Sequence, residues 1–370
     1  MPTFLIAPDS FKGTMSSLEV CEIIEKAVKD VKKDSKVVKL PVADGGEGLV
    51  NSFAKIKKGK TIKAKARGPY GELLNAEYFV FDSTAVIEMA SCAGLPLVGD
   101  NKNPMKTTTL GVGDLILDAM KRDIRNIVLG LGGSATNDCA IGMANALGYN
   151  FLDKEGTLLY PNGEALNKIK TIIRPQELPP VEFVAACDVD NPLYGRNGAA
   201  YTFAPQKGAD DRMVEVLDKG LMNIAKVIKT DFGIDLVQIK GAGAAGGMGA
   251  GVVAFLNGSL RSGIDLILDA AGFDELLNGV DIVITGEGCM DSQSLRGKVP
   301  FGVAKRATAK GKKVIAVCGM LGEGAEKMHT CGITAMYASR KDKADIETIR
   351  KTCKEDLYTV AKSAIKDLNL

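Results

Sequence analysis

The feature that most constrains this chain is a set of glycine-rich loops, each placed beside an apolar run of β type or a helical stretch. Thr3–Pro8 (TFLIAP) predicts a buried strand. Ser16–Lys32 predicts an amphipathic helix, with Ser16 as its N-cap and Glu19 as the capping-box partner. The same alternation of strand and helix returns in residues 280–366, where Ile346–Lys366 predicts a long helix. This alternation is typical of parallel sheets covered by helices.

The middle of the chain has a different pattern, because Arg67–Pro96 predicts paired strands with tight turns. We therefore predict two unlike α/β domains. The first is discontinuous, covers residues 1–62 and 279–370, and is a Rossmann-like three-layer domain with a parallel sheet. The second is an inserted mixed α/β domain of residues 63–278. An active site is expected in the cleft between the two domains. The lysine-rich stretch Lys55–Lys65 is interpreted as a solvated connection.

Composition excludes several function classes. The net charge is +2, with 47 basic and 45 acidic residues, so the chain has no field for nucleic acid or anionic membranes. Eight cysteines without a C-x-x-C pair indicate free thiols in a reducing compartment. The chain shows no signal peptide and no apolar run of about 20 residues, which favours a cytoplasmic protein. The single histidine, His329, is expected in a surface turn, which disfavours a histidine base. Oligomeric state is left open, with a homodimer as one option.

Six loops combine glycines, which permit positive φ and close ligand approach, with polar side chains. In open α/β sheets, ligands bind beside loops of this kind at strand ends. Each loop also has a structural alternative, as a plain turn or a helix cap. The six loops are PDSFKG (8–13), ADGGEG (43–48), GLGGSATND (130–138), CDVDNPL (187–193), KGAGAAGGMGAG (240–251) and TGEGCMDSQSLRGK (285–298).

The polar groups of these loops suit phosphate chemistry. In PDSFKG a lysine and backbone N–H groups before a helix favour an anion site, and successive amides in GLGGSATND can hold phosphate oxygens. The acids of ADGGEG could hold magnesium or orient hydroxyls. The acid pair of CDVD suits a metal ligand or a base for a hydroxyl proton. The P-loop sequence G-x-x-x-x-G-K-[ST] does not occur in the chain.

The KGAGAAGGMGAG loop contains a formal G-x-G-x-x-G at Gly241, Gly243 and Gly246, with Asp265 about twenty residues on, as in dinucleotide-binding folds. The loop lies deep in the chain, and no clear second strand with an acid at its tip follows it. We favour a phosphate-binding helix start, with helix–sheet packing and NAD binding as the alternatives.

Taken together, the six loops resemble the glycerate kinase family, in the class that bacteria use for glycerate metabolism. With the fourth and sixth loops extended to CDVDNPLYGRNGAAYTFAPQKGA (187–209) and TGEGCMDSQSLRGKVPFGVA (285–304), they occur in the family's order from residue 8 to 304. The resemblance implies ATP-dependent phosphorylation of D-glycerate with Mg²⁺, to 2-phosphoglycerate rather than 3-phosphoglycerate, in organic-acid or glyoxylate catabolism that feeds glycolysis. The departures are Cys139 and Ala140, where the family often has glycines, Cys289-Met290 in place of Arg-Leu, and Ser294 in place of Thr.

For this reaction we interpret Asp188 as the group that accepts the proton of the attacking hydroxyl, with Asp190 as the close alternative. Lys298 would neutralise the transferring phosphoryl group. The expected magnesium ligands are Asp44, Glu47 and Glu287. The residues expected to bind substrate or nucleotide are Asp9, Ser10, Lys12, Gly45, Gly46, Gly132, Gly133, Ser134, Asn137, Asp138, Gly243, Gly246, Gly247, Asp291 and Gln293. The rival readings are an NAD-dependent hydroxy-acid dehydrogenase and a non-catalytic sensor of a phosphorylated metabolite.

Overall fold

The computed structural model describes residues 1–42, 48–177, 180–295, 297–340 and 345–368. Its strands, in chain order, are β1 (Thr3–Ile6), β2 (Lys36–Lys39), β3 (Lys60–Arg67), β4 (Leu73–Phe81), β5 (Thr84–Glu88), β6 (Asn126–Gly130), β7 (Asn150–Leu152), β8 (Thr171–Ile173), β9 (Glu182–Ala186), β10 (Ser259–Arg261), β11 (Ile282–Thr285), β12 (Cys289–Met290), β13 (Lys313–Leu321) and β14 (Ile333–Arg340). Its α-helices are α1 (Ser17–Val31), α2 (Leu49–Ile56), α3 (Ala90–Ala93), α4 (Leu95–Val98), α5 (Leu110–Met120), α6 (Ile141–Ala146), α7 (Ala199–Phe203), α8 (Asp211–Phe232), α9 (Ala244–Leu256), α10 (Gly263–Ala270), α11 (Phe273–Leu276), α12 (Val299–Ala309) and α13 (Ile346–Lys366).

The contacts divide the chain into two units. Unit 1 comprises Met1–Glu47 and Gly263–Leu370, and unit 2 comprises Gly48–Ser262. The breaks differ from the predicted 62/63 and 278/279 for a physical reason. β3 pairs with β4 along its whole length, and Gly302 of α12 packs against Ile264 of α10. The expected active site in a cleft stays a prediction.

Unit 1 contains a parallel sheet in which β2, β1, β11, β13 and β14 lie side by side in that order. The short β12 joins the end of β13, beyond the end of β11. Phe4, Leu5 and Ile6 of β1 are fully buried, because helices cover both faces of the sheet. Phe4 and Ile6 share a core with α1 and α13, and α12 packs against β11 and β13. This arrangement confirms the predicted three-layer, Rossmann-like fold class.

Unit 2 contains a mixed sheet with the order β10-β9-β6-β5-β4-β3. The first four of these strands are parallel, and β4 and β3 are antiparallel additions at one edge. One core lies between the sheet and helices that include α5 and α9, and a second core surrounds α8. The paired strands predicted from Arg67–Pro96 are confirmed as β4 and β5, and the sheet confirms the predicted mixed α/β class.

The interpretation of Lys55–Lys65 as a solvated connection is wrong. Lys60–Arg67 forms the edge strand β3, in which Ile62, Ala64 and Ala66 are more buried than the lysines that alternate with them. Lysines on an edge strand discourage pairing with another chain, so the charge pattern belongs to a strand at the sheet boundary.

All eight cysteines are free thiols, five of them buried. Among the described residues, no helix has the length and apolar character needed to cross a bilayer.

Candidate functional site

In unit 1, the ends of β1 and β11 lie side by side at the carboxyl edge of the sheet. The Ala7 N–H donates to Ile284 O at 2.8 Å, and the Asp9 N–H donates to Gly286 O at 2.9 Å. Counted within the unit and without the short β12, the strand order is 2-1-3-4-5, which changes direction between β1 and β11. Open α/β sheets bind ligands at such a switch point, so the topology itself indicates a site between these two loops.

A cavity of about 480 Å³ lies at this switch point. It collects side chains from loops that are nearly 280 residues apart in the chain. The predicted residues that line it are Asp9, Ser10, Lys12, Glu287, Asp291 and Lys298. The ends of β13 and β14 and the first turns of α13 complete its wall. Gln293 is exposed and absent from the lining, and its N–H donates to the Asp291 carboxylate at 2.8 Å.

Glu287 is the buried acid of this cavity, with 5% of its surface exposed. Ser294 Oγ donates to its Oε1 at 2.5 Å, and Lys298 Nζ lies 3.2 Å from its Oε2. Burial raises the pKa of Glu287, while the hydrogen bond from Ser294 and the charge of Lys298 oppose that rise. Glu287 therefore fixes the Lys298 ammonium at the cavity wall, at the N-terminus of α12.

The PDSFKG loop precedes α1, as the sequence predicted, and three residues separate the two. α1 begins at Ser17, and its first turn is capped from within: the Glu19 N–H donates to Ser16 Oγ at 3.3 Å, and the Ser16 N–H donates to the Glu19 carboxylate at 2.9 Å. The predicted capping box is confirmed. The capping box already uses the Glu19 N–H, so fewer free donors remain at this helix end for an anion near Lys12.

Arg340 is a cavity residue that the sequence reasoning missed. It ends β14, and its Nη2 donates to the Asp356 carboxylate at 2.8 Å. Its Nε is buried and has no hydrogen-bond partner in the described part of the chain. The available signal was a charged residue directly after the apolar, β-type run at 333–339, but nothing local indicated that β14 lies beside β13.

In unit 2, the GLGGSATND and CDVDNPL loops leave the same edge of the sheet. They follow β6 and β9, which are parallel neighbours with Gly130 opposite Ala186. Asp188 and Asp190 are exposed in the second loop. The structure therefore brings these two predicted loops together, as it does the PDSFKG and TGEG loops in unit 1.

The glycines and Ser134 of the first loop present backbone donors. Gly132 and Gly133 are exposed, and none of the described hydrogen bonds uses the N–H of Gly132, Gly133 or Ser134. Nothing lies within 4 Å of the place where a Gly132 Cβ would be, and its φ is outside the left-handed region. The fold therefore does not require glycine at 132, whereas a ligand in close contact with the backbone would.

The last two residues of this loop, Asn137 and Asp138, are both buried but differ in their hydrogen bonding. Asp138 accepts hydrogen bonds from the Thr109 N–H and hydroxyl, both at 2.8 Å, and from the amides of Ala140 and Gly142, both at 3.2 Å. Burial raises the pKa of Asp138, and these four donors oppose the rise. Asn137 is also fully buried, but its Nδ2 and Oδ1 have no partner in the described residues. The contacts make Asp138 an anchor of the loop, whereas the described residues leave the Asn137 amide without a hydrogen-bond partner.

Glycine is required at 243, 246 and 247 by close packing within the chain. A Cβ on Gly246 would lie 2.1 Å from Thr136 O, and one on Gly243 would lie 2.2 Å from Pro192 O. Gly247 has a φ of +91° and faces the Cys139 backbone. These glycines allow the start of α9 to support the loops that follow β6 and β9. Direct ligand binding by them stays a prediction.

The dinucleotide alternative for this segment lacks its structural context. A G-x-G-x-x-G fingerprint must follow a β-strand. Gly241 instead follows a 3₁₀ turn at Leu236–Gln238 and a further turn.

Four predicted residues lie outside the described residues: Asp44, Gly45, Gly46 and Glu47.

Lys207, in unit 2, is a second residue that the sequence reasoning missed. Lys207 is 2% exposed, and its Nζ donates to Ser134 Oγ at 2.8 Å and to Thr136 O at 2.6 Å. Its only sequence signal was its place in the long CDVDNPLYGRNGAAYTFAPQKGA stretch.

Comparison with known proteins agrees with the motif pattern. The model of the glycerate kinase family matches residues 4–369. A glycerate kinase of Bacillus cereus is 42% identical over 365 residues, covering 97% of this chain and 96% of the relative. A glycerate 2-kinase of Escherichia coli is 42% identical over 340 residues, covering 90% of this chain and 89% of the relative. A crystal structure assigned as glycerate kinase 2 of Salmonella typhimurium has a TM-score of 0.83 at 37% identity and covers 99% of this chain and 97% of that one. The chain therefore belongs to the glycerate kinase family.

Proposed function

We propose that this chain transfers the γ-phosphoryl group of ATP to the 2-hydroxyl of D-glycerate, giving 2-phosphoglycerate and ADP. Membership of the family makes it a phosphotransferase with an alcohol acceptor. The choice of the 2-hydroxyl is supported by the E. coli relative, which is named a glycerate 2-kinase. We place the reaction in organic-acid or glyoxylate catabolism that feeds glycolysis. The expected cytoplasmic location and the homodimer option stay predictions.

The observation that carries the proposal is the cavity at the switch point of unit 1. It combines Lys12, Lys298 and Arg340 with the buried Glu287. Phosphoryl transfer depends mainly on positioning and on neutralising charge over the transferred oxygens. Cations beside a buried carboxylate that holds one of them in place supply both requirements.

We assign the following roles in the reaction to residues of this chain. Lys12 and Lys298 bind anionic oxygens, and Glu287 orients Lys298. The amides of Gly132, Gly133 and Ser134 add donors for a second anionic group. Asp188 accepts the proton of the attacking 2-hydroxyl as the new O–P bond forms and the bond to ADP breaks.

Magnesium fits this donor set only in part. Among the described residues, no group of three or more His, Cys, Asp or Glu side chains could hold a metal ion. Mg²⁺ commonly takes one or two protein carboxylates and completes its shell with substrate phosphates and water, and Glu287 would provide one such carboxylate. Asp44 and Glu47 lie outside the described residues, and their role as ligands stays a prediction. When bound, the ion would neutralise charge on the phosphate oxygens.

The proposal is tested by measuring ADP release in the presence of ATP and D-glycerate, L-glycerate or another small hydroxy acid. The phosphorylated product is then identified by NMR. We expect turnover with D-glycerate and a phosphorus signal coupled to the proton on C2. Coupling to the C3 protons would overturn the 2-hydroxyl assignment. ADP release no faster with D-glycerate than with water alone, or binding of NADH without ATP, would overturn the kinase proposal.

A further inference from the structure

Lys207 is a buried lysine to which neither the motifs nor the proposed reaction gives a role. It ends a 3₁₀ turn at Pro205–Lys207, and its side chain reaches the loop that follows β6. A lysine is almost never fully buried unless its ammonium is paired or hydrogen-bonded. Here the ammonium satisfies that rule by donating to Ser134 Oγ and Thr136 O, on either side of Ala135.

The backbone that carries Lys207 is itself fixed. The Lys207 N–H donates to Ala204 O at 3.0 Å. Gly208 follows with a φ of +93°, and a Cβ at that position would lie 2.5 Å from Lys102 Cβ. The side chain therefore links a rigid turn to the loop.

The far end of the loop is fixed independently. Asp138 is held by Thr109, and a Cβ on Gly246 would contact Thr136 and Asn137. Between these anchors, both polar atoms of the fully buried Asn137 amide lack a partner in the described residues, and so does Thr136 Oγ1. An unpaired buried polar group destabilises the fold, so groups like these are normally satisfied by a ligand or by ordered water.

We propose that Lys207 is the positioning residue of the GLGGSATND loop, holding the amides of residues 132–134 and the Asn137 side chain in place for an anionic group of one substrate. The inference rests on the proposed function. The shared chemistry is an anion, which is the carboxylate of D-glycerate or a phosphate of ATP. Burial lowers the pKa of Lys207 to about 7, and Asp138 opposes that change, so the ammonium would gain from a nearby anion.

Lys207→Met is the informative variant, because it keeps the length of the side chain and removes both hydrogen bonds. Tyr149→Phe is the matched control, since it removes a buried hydrogen bond to Phe255 O, 2.8 Å long, from the same unit. KM is measured separately for ATP and D-glycerate. We expect Lys207→Met to raise KM for one substrate about tenfold or more and to leave the other within about twofold. Tyr149→Phe should leave both within about twofold.

The substrate whose KM rises identifies the anion on the loop: ATP indicates phosphate, and D-glycerate indicates carboxylate. A double-mutant cycle with Ser134→Ala adds a second readout. If Lys207 acts through the loop, the two effects on log KM should be less than additive. Unchanged KM values for both substrates, an equal rise for both, or full additivity would overturn the inference.

A readout without substrate separates this inference from the proposed function. Hydrogen exchange of the amides at 131–138 should be about tenfold faster in Lys207→Met than in the wild type and unchanged in Tyr149→Phe. If the wild type fails to phosphorylate D-glycerate, the proposed function falls, and the exchange result still decides the role of Lys207. Equal exchange in wild type and Lys207→Met would overturn that role.

Discussion

At the scale of single residues, the family departures at Cys139 and Ala140 occupy a demanding backbone position. Their φ values are +50° and +60°, in the left-handed region. An L-residue there costs about 1 kcal/mol or more relative to glycine. The hydrogen bonds that Asp138 accepts from the amides of Ala140 and Gly142 hold the turn in this conformation. The glycines that the family often has here are explained by this backbone shape.

Lys298→Ala tests the proposed charge neutralisation. We expect kcat to fall about 10²–10³-fold, because a preorganised cation at the cavity would be lost. Lys305→Ala is the control, since Lys305 is exposed on the same helix and lies over the Phe301 ring. Steady-state kinetics, with folding checked by circular dichroism, gives the comparison. Near-normal turnover of Lys298→Ala would remove Lys298 from the transition state.

Asp188→Asn tests the proposed base. The substitution keeps the side-chain shape and removes the carboxylate, so we expect kcat to fall about 10²–10⁴-fold with KM for ATP little changed. Asp190→Asn is the parallel variant, since Asp190 is also exposed in the same loop. Full activity of Asp188→Asn together with loss in Asp190→Asn would transfer the role to Asp190.

Gly132→Ala tests whether a ligand approaches the loop backbone. The space around a new Cβ is open, so the free energy of unfolding should change by less than about 0.5 kcal/mol. A ligand in contact with the 132 backbone would meet the new methyl group, and we expect KM for one substrate to rise about fivefold or more. Wild-type KM values for both substrates would contradict close approach at this residue.

At the scale of elements, the start of α9 is shaped by the loop it supports. Gly246→Ala would place a methyl group 2.1 Å from Thr136 O in a backbone with a φ of +72°. Gly233→Ala is a matched control, because Gly233 has a φ of +73° and nothing within 4 Å of a new Cβ. We expect Gly233→Ala to lower the free energy of unfolding by about 1 kcal/mol. Gly246→Ala should lower it by about 2–4 kcal/mol, because overpacking adds to the same strain.

Denaturant titration measures that difference. An equal decrease in the free energy of unfolding in the two variants would mean that only the backbone conformation requires glycine at 246. It would contradict the close contact of α9 with the loop after β6. The difference between the variants therefore isolates the steric contribution.

Sequence patterns predicted many elements well where the signal was local. α13 has the bounds that its pattern predicted, and the Ser16–Glu19 capping box is present, because caps and amphipathic spacing involve residues within one or two turns. The strand at Lys60–Arg67 was missed. Its inward residues include two alanines, and its lysines dominate the composition, so only its pairing with β4 identifies it as a strand.

At the scale of the whole molecule, Lys207 gives a pH dependence of stability. Burial lowers its pKa from 10.5 to about 7, so between those values the unfolded chain binds more protons than the folded chain. The free energy of unfolding should therefore rise with pH by about 1–2 kcal/mol between about pH 7 and 8.5. This contribution is lost as the pH falls through 7. In Lys207→Met that rise should disappear.

Denaturant midpoints across this pH range provide the measurement. Buried thiols act in the opposite direction towards the upper end of this range, because burial raises the pKa of Cys21, Cys92 and Cys318 to about 12 whereas unfolded thiols titrate at about 8.5. Lys207→Met carries the same thiols, so the difference in pH slope between the variant and the wild type isolates Lys207. An equal pH slope in wild type and Lys207→Met would show that the ammonium of Lys207 does not titrate in this range.

The glycine-rich loops, their order and the strand–helix alternation were determined by the sequence alone, and they predicted the fold class and the family. These are local patterns, read within a strand, a turn or one helix. Tertiary structure decided which strand ends are neighbours: β1 with β11, and β6 with β9. It also buried Lys207 against a loop 71 residues away and brought Arg340 to the cavity. Burial and strand pairing depend on segments far apart in the chain, so no local pattern could have assigned those roles.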